Sequence, residues 1–113
     1  MIDPTMDVLY SALNGLMTEQ QVIANNVANL STPNFTASQV DFEDTLQAAI
    51  ANGTTPPADP AVITPSSAPA NQDGNNVDVN TETLNLTNTE LRYQAITGAV
   101  NAKFQELGTA IQG

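Results

Sequence analysis

Residues 5–30, TMDVLYSALNGLMTEQQVIANNVANL, decide the fold. Met6, Leu9, Leu13, Leu16, Ile23, Val27 and Leu30 recur on alternating steps of three and four, and Gln20 fills the one polar place in the series. Such a seam predicts an amphipathic helix of about 39 Å. Asp3 suits the N-cap and Pro4 the first helical position, while Pro33 cannot continue a helix. A rod this long cannot bury its own stripe, so it requires a partner.

The chain supplies one. Between residues 78 and 111, Leu86, Tyr93, Ile96, Val100, Phe104, Leu107 and Ile111 recur at helical spacing, flanked by Leu84, Leu91 and Ala95. The expected fold is mainly α, with long N- and C-terminal helices forming a coiled-coil hairpin around an irregular proline-rich middle segment. Three segments result: 1–35, an N-terminal coiled-coil helix and turn; 36–77, a short helix plus an extended irregular segment; and 78–113, the C-terminal coiled-coil helix. Leu9, Leu13, Leu16, Ile23 and Val27 are expected to pack against Tyr93, Ile96, Val100, Phe104 and Leu107, partly within one protomer and partly with neighbours. Gln20 either fixes the register of the seam or faces a neighbour. Gly15 and Gly98 each cost a helix interior about 1 kcal/mol relative to Ala, which is either a tolerated expense or the mark of a close backbone approach to another helix.

Five of the seven prolines fall within residues 56–69 of the stretch NGTTPPADPAVITPSSAPANQDGNN. Neither a helix nor a central strand can run through it, although Val62 and Ile63 suit a sheet edge. A loop of this length is either a flexible linker or is laid against a neighbouring molecule. Ahead of it, residues 44–51 suit a short helix with Phe42, Leu46, Ala49 and Ile50 on one face.

Composition removes most kinds of chemistry. The 113 residues carry 12 acids against 2 bases, with no Cys, His or Trp. A net charge of −10 repels nucleic acid and anionic lipid. Without Cys or His there is no thiolate nucleophile, disulfide or ordinary zinc site, and no side chain that titrates near neutrality unless a carboxyl is strongly shifted. No enzyme activity and no cofactor are expected. Charged residues make up only 12% of the chain where about 25% is usual, and Asn and Thr supply 13 and 14 residues. A polar, nearly uncharged surface of this kind favours packing with copies or partners. No apolar run approaches a membrane span. The first basic residue is Arg92, so a conventional secretory signal is not expected.

Two constellations invite a chemical reading and fail it. Asp41, Glu43 and Asp44 have no opposing base or apolar pocket nearby in the sequence, and acids at the start of a helix are explained by its dipole. The stretch from Asp73 to Asp78 has the oxygens of a calcium loop but places Asp78 where Gly is needed and Leu84 where a bidentate Glu is needed. A turn leading into a helix capped by Asp78 accounts for it better.

The string ANNVANLSTPNF, residues 24–35, is a helix C-terminus rich in short amides. Asn26 and Asn29 can bond freed carbonyls, Ser31 and Thr32 can close a turn, and Phe35 can fold back on the stripe. This string resembles the N-terminal signature of bacterial flagellar axial proteins, carried here by Asn25, Asn26, Ala28, Asn29, Thr32, Pro33 and Phe35. Ser31, Asn34 and Phe35 depart from the residues usual there, and Asn34 in place of Gly must supply φ > 0 if the turn needs it. The step Val40, Asp41, Phe42, the GNNVDVN stretch and the run Leu91, Arg92, Tyr93, Gln94 extend the resemblance to the proximal rod branch, over residues 6–50 and 73–111. FlgC-type rod proteins share the first motif.

The resemblance implies a structural subunit of the basal-body rod, exported unfolded without a cleaved signal and assembled helically around the export channel in the periplasm. Its implied partners are copies of itself, other rod proteins of FlgC and FlgF type, FliE and the flagellar export gate, with no nucleic acid or small-molecule substrate. The rival expectations are a self-folding coiled-coil adaptor binding a partner helix and a small hydrolase using Asp41 and Glu43.

Overall fold

The computed structural model describes residues 4–112. Its elements are α1 (Pro4–Ala28), β1 (Ser38–Asp41), α2 (Glu43–Asn52), β2 (Val62–Pro65) and α3 (Val79–Gln112). The chain is mainly helical, with long N- and C-terminal helices, and spans 64 × 26 × 15 Å. Asp3, expected to cap α1, lies outside the described residues. α1 stops two residues before Leu30, where the backbone tightens and Leu30 N donates to Val27 O and Thr32 N to Asn29 O. α3 begins where expected, because Asp78 Oδ1 accepts from Asn80 N at 2.9 Å and Thr81 N at 3.5 Å.

α1 and α3 run antiparallel along each other. Asn26 near the end of α1 bonds Glu82 near the start of α3, and Leu16, ten residues back, packs in the cluster that Ile96 joins. The core of that cluster is Ala12, Leu16, Phe42 and Leu46, with Val40 against it. It is small, and the further buried residues of the two helices include polar ones, Ser11, Asn26, Glu82 and Thr89, beside Met6, Ile23 and Val100.

The middle of the chain departs from both expectations for it. β1 and β2 pair antiparallel, with Ser38 opposite Pro65 and Asp41 opposite Val62, so Val62 and Ile63 do join a sheet, together with a strand the sequence did not announce. Pro56, Pro57 and Pro60 precede β2, in a segment that forms a strap on α1 of the same chain. Ser11 Oγ donates to Pro57 O at 2.6 Å, Asn14 Nδ2 to Ala58 O at 2.6 Å, and Thr18 Oγ1 to Asp59 Oδ2 at 3.0 Å. Positions 11, 14 and 18 share one face of the helix, and Pro56 and Pro60 are buried beneath the strap. Residues 54–60 are therefore not a free linker, and their contacts come from their own protomer.

The glycines divide. A Cβ on Gly15 would lie 2.7 Å from Phe42 Cγ, so the close approach is real, but the neighbour is the ring that follows β1 and not a helix. Gly98 has nothing within 4 Å, and the close-approach expectation fails there.

Candidate assembly interface

The amide-rich turn after α1 is built by hydrogen bonds across 40–60 residues of sequence. Asn75 is fully buried; its Nδ2 donates at 2.8 Å to both Asn29 O and Thr32 O, and its Oδ1 accepts from Val77 N at 2.8 Å. Asn76 Oδ1 accepts from Ala37 N at 2.6 Å, while its Nδ2 reaches Ser66 O and Ala68 O. Asn34 takes φ 62°, as the loss of Gly at this turn requires, and its N–H donates to Asp73 O. Facing it, Gly74 has φ 82°, and a Cβ there would strike Asn34 Oδ1 at 2.3 Å. Asn29 bonds the freed Asn25 O, as expected. Asn26 does not cap the helix: it is buried, exchanges bonds with Ser38 N and O, and donates to Glu82 Oε1. The two Asn pairs, at 25–26 and 75–76, thus lie on the turn that fixes where α1 ends and α3 begins.

That frame sets which faces of the two helices are covered. Around α1, Ser11, Asn14 and Thr18 carry the strap, Gly15 and Asn26 meet Phe42 and Ser38, and Ala12, Leu16 and Ile23 are buried toward α3. Beyond them come Leu9, Leu13 and Gln20, half-buried, and Val27, 48% exposed. On α3, Arg92 turns toward Glu43 of α2, and Ile96 and Val100 are half-buried and buried. Val79, Leu86, Tyr93, Phe104, Leu107 and Ile111 are all exposed, Ile111 at 87%. Of the seam residues, the chain by itself buries Leu16, Ile23 and Val100 and partly covers Leu9, Leu13 and Ile96. Val27, Tyr93, Phe104 and Leu107 are exposed.

The acids have structural partners. Asp41 Oδ1 accepts from Glu43 N, Glu43 pairs with Arg92, and Asp73 Oδ1 accepts from Asn75 N inside the loop that resembles a calcium site. Two carboxyls titrate above their usual range. Glu19 is raised chiefly by burial, opposed by a hydrogen bond with Thr89 and by the charge of Arg92. Glu82 is raised by burial too, opposed by the bond from Asn26 and reinforced by Asp78. An open cavity of about 440 Å³ between the start of α1 and the end of α2 is lined mainly by Pro4, Val8, Ala49, Ile50 and Pro56, with Asp7 the one charged side chain among the described residues that line it. These groups pack, hydrogen-bond and form the Glu43–Arg92 ion pair.

Sequence reasoning missed the joining roles of Asn75, Asn76, Ser38 and Glu82. For Asn75 and Asn76 the signal was a second Asn pair, one residue ahead of the capping Asp78 and read only as a turn.

Known proteins match this arrangement. The family profile described as flagella basal body rod protein matches residues 6–36, which cover α1 and its turn. The flagellar basal body rod protein FlgB of Bacillus subtilis is 32% identical over 121 residues, spanning 96% of this chain and 94% of that protein. The FlgB of Borrelia hermsii is 28% identical, with 96% of each chain covered, and that of Cereibacter sphaeroides 29%, with 85% and 84% covered. With near-complete overlap at this identity, and with the matched segment forming the helix and turn on which the rest of the chain is hung, the chain belongs to the FlgB family of flagellar basal body rod proteins, which are structural components and not enzymes.

Proposed function

We propose that this chain is a proximal rod subunit whose two helices complete their packing only between protomers, as a coiled-coil hairpin set into a helical tube around the export channel. The supporting observation is the one-sidedness of the helix pair. One side of α1 is covered by β1, α2 and the strap, and α3 joins that side through Arg92 on Glu43 and Ile96 on the cluster. Leu13 and Val27 from α1, and Leu86, Tyr93, Phe104 and Leu107 from α3, are left half-buried or exposed. The acids Asp41, Glu43, Asp44 and Asp59 lie on the covered side, in β1, α2 and the strap. A largely apolar surface on two helices, interrupted by Glu90 between Leu86 and Tyr93, suits a third helix, and non-closing contacts between identical subunits generate tubes.

In this reading the subunit is exported unfolded, folds in the periplasm, and links FliE and the export gate to further rod proteins of FlgC and FlgF type. Those neighbours rest on the family likeness. The seam residues Leu9, Leu13, Gln20, Val27, Tyr93, Phe104 and Leu107 then divide their contacts between their own and neighbouring protomers.

Leu13→Asp tests this. A charge placed between subunits should abolish swimming and rod assembly while the protein is still made and exported. Normal swimming by this variant would remove the seam from the assembly. A stable, concentration-independent helical monomer that forms no assemblies would favour the adaptor reading instead.

A further inference from the structure

Glu82 lies in the first turn of α3 with 6% of its surface exposed, and its two oxygens are treated differently. Oε1 accepts from Asn26 Nδ2 at 3.1 Å, whereas Oε2 is buried without a hydrogen-bond partner. Asn26 has nothing more to offer. Its other amide hydrogen goes to Ser38 O at 2.8 Å, and its Oδ1 accepts from Ser38 N at 3.0 Å.

The surroundings supply no compensating charge. On α3 itself the nearest charged neighbour is Asp78, one turn earlier. From α1 comes Glu19, which lines the same cavity of about 230 Å³ as Glu82. β1 contributes Ser38, Gln39 and Val40 to that cavity, none of them charged. Arg92 is ten residues further along α3, about 15 Å by helical rise, and is engaged by Glu43. An anion at position 82 would be a buried charge with one hydrogen bond and only acids for company, an arrangement that proteins avoid by neutralising the group.

We propose that Glu82 closes the junction of α1, β1 and α3 as a neutral carboxylic acid, so that forming the junction takes up one proton and raising the pH loosens it. The balance is one carboxylate plus one proton from solvent giving one carboxyl. Oε1 stays a carbonyl acceptor for Asn26, and Oε2 becomes a hydroxyl that costs far less to bury than an anion. The direction of the Glu82 titration agrees, since burial is the largest influence and raises it. The sign follows from linkage. A carboxyl raised in the folded state contributes stability that is complete below the ordinary carboxylate range and is lost as pH rises toward its folded value. Because Asn26, Ser38 and Glu82 tie three elements at one point, the loss is felt first where α3 begins.

The test uses the full-length chain and its Glu82→Gln variant, with Glu106→Gln as an exposed control, in thermal melts followed by circular dichroism from pH 4.5 to 8. Carbon-13 titration of the side-chain carboxyls accompanies the melts. The wild-type and Glu106→Gln midpoints should fall together as pH rises. Glu82→Gln should melt higher than wild type at pH 8 and depend less on pH, and the resonance it deletes should titrate above the other carboxyls. If the wild-type chain melts without cooperativity at neutral pH, it should gain helix on acidification, while Glu82→Gln is already helical there. The proposal is overturned if the deleted resonance titrates with the ordinary carboxyls, if Glu82→Gln melts lower than wild type at pH 8, or if both chains lack helix at every pH.

Discussion

The ring of Phe42 rests on the backbone of α1 at Gly15, so close that a Cβ there would meet Cγ at 2.7 Å and both Cδ atoms at 3.0 Å. This contact joins the end of β1 to the middle of α1 and carries Leu46 and Ile96 into one cluster with Leu16. A glycine that would otherwise weaken the helix makes room for the largest side chain of the core.

The two mid-helix glycines should therefore respond oppositely to alanine. At Gly15 the added methyl meets the rigid centre of a buried ring, and the overpacking of about 1–3 kcal/mol outweighs a propensity gain of roughly 1 kcal/mol. Gly15→Ala should lower the melting temperature. Gly98→Ala meets nothing within 4 Å and should stabilise the chain by about 0.5–1 kcal/mol. Thermal melts of the pair decide the matter, and equal shifts would contradict the packing at Phe42.

Asn75→Ala should be among the most damaging single changes outside the apolar core. It takes one of the two donors from Asn29 O and from Thr32 O, and it frees the buried Val77 N, by removing a side chain with no surface exposed. A loss of about 2–4 kcal/mol is expected. Asn71→Ala, at an exposed side chain on the same loop, should change stability by less than about 0.5 kcal/mol. Denaturant unfolding of both variants measures the contrast, and a mild Asn75→Ala would mean that the turn is held elsewhere.

Glu19 gives a pH effect that Arg92 moderates. Its carboxyl is raised by burial, and the Thr89 hydrogen bond and the Arg92 charge hold it back. Its stabilising share is complete below the ordinary carboxylate range and is lost as pH rises through the higher folded value. Arg92→Gln should push the Glu19 titration further upward, visible by carbon-13 titration of its carboxyl. An unchanged or lowered titration would show that Arg92 does not act on it.

The long helices were legible because their signals are local. The step of three and four runs the whole length of α1, Asp78 caps α3, and Asn34 stands where φ > 0 is needed. The covered face of α1 was less so. Periodicity pointed to Leu9, Leu13 and Val27, while the chain covers Ser11, Gly15 and Asn26. These small or polar residues are chosen by what approaches them, a strap carbonyl, an aromatic ring and a strand backbone. Such contacts lie 12–46 residues away and leave no periodic trace. β1 escaped notice because four residues, SQVD, carry too short an alternation, and its partner lies beyond a proline run that usually excludes strands. Of the seam read from sequence, Leu16, Ile23 and Val100 are buried in the single chain, while Val27, Tyr93, Phe104 and Leu107 are left open.

The most direct test of the account exploits the absence of cysteine in the chain. Single Leu13→Cys, Leu86→Cys and Tyr93→Cys variants that retain swimming would be labelled with a maleimide as purified chain and within isolated basal bodies. Ser67, exposed between the strap and the turn, gives the outward control as Ser67→Cys. The account predicts that positions 13, 86 and 93 label in the purified chain and become protected by tenfold or more in the rod, relative to position 67. Equal labelling of all four positions in the rod would show that the open face of α1 and α3 is not the surface by which subunits meet.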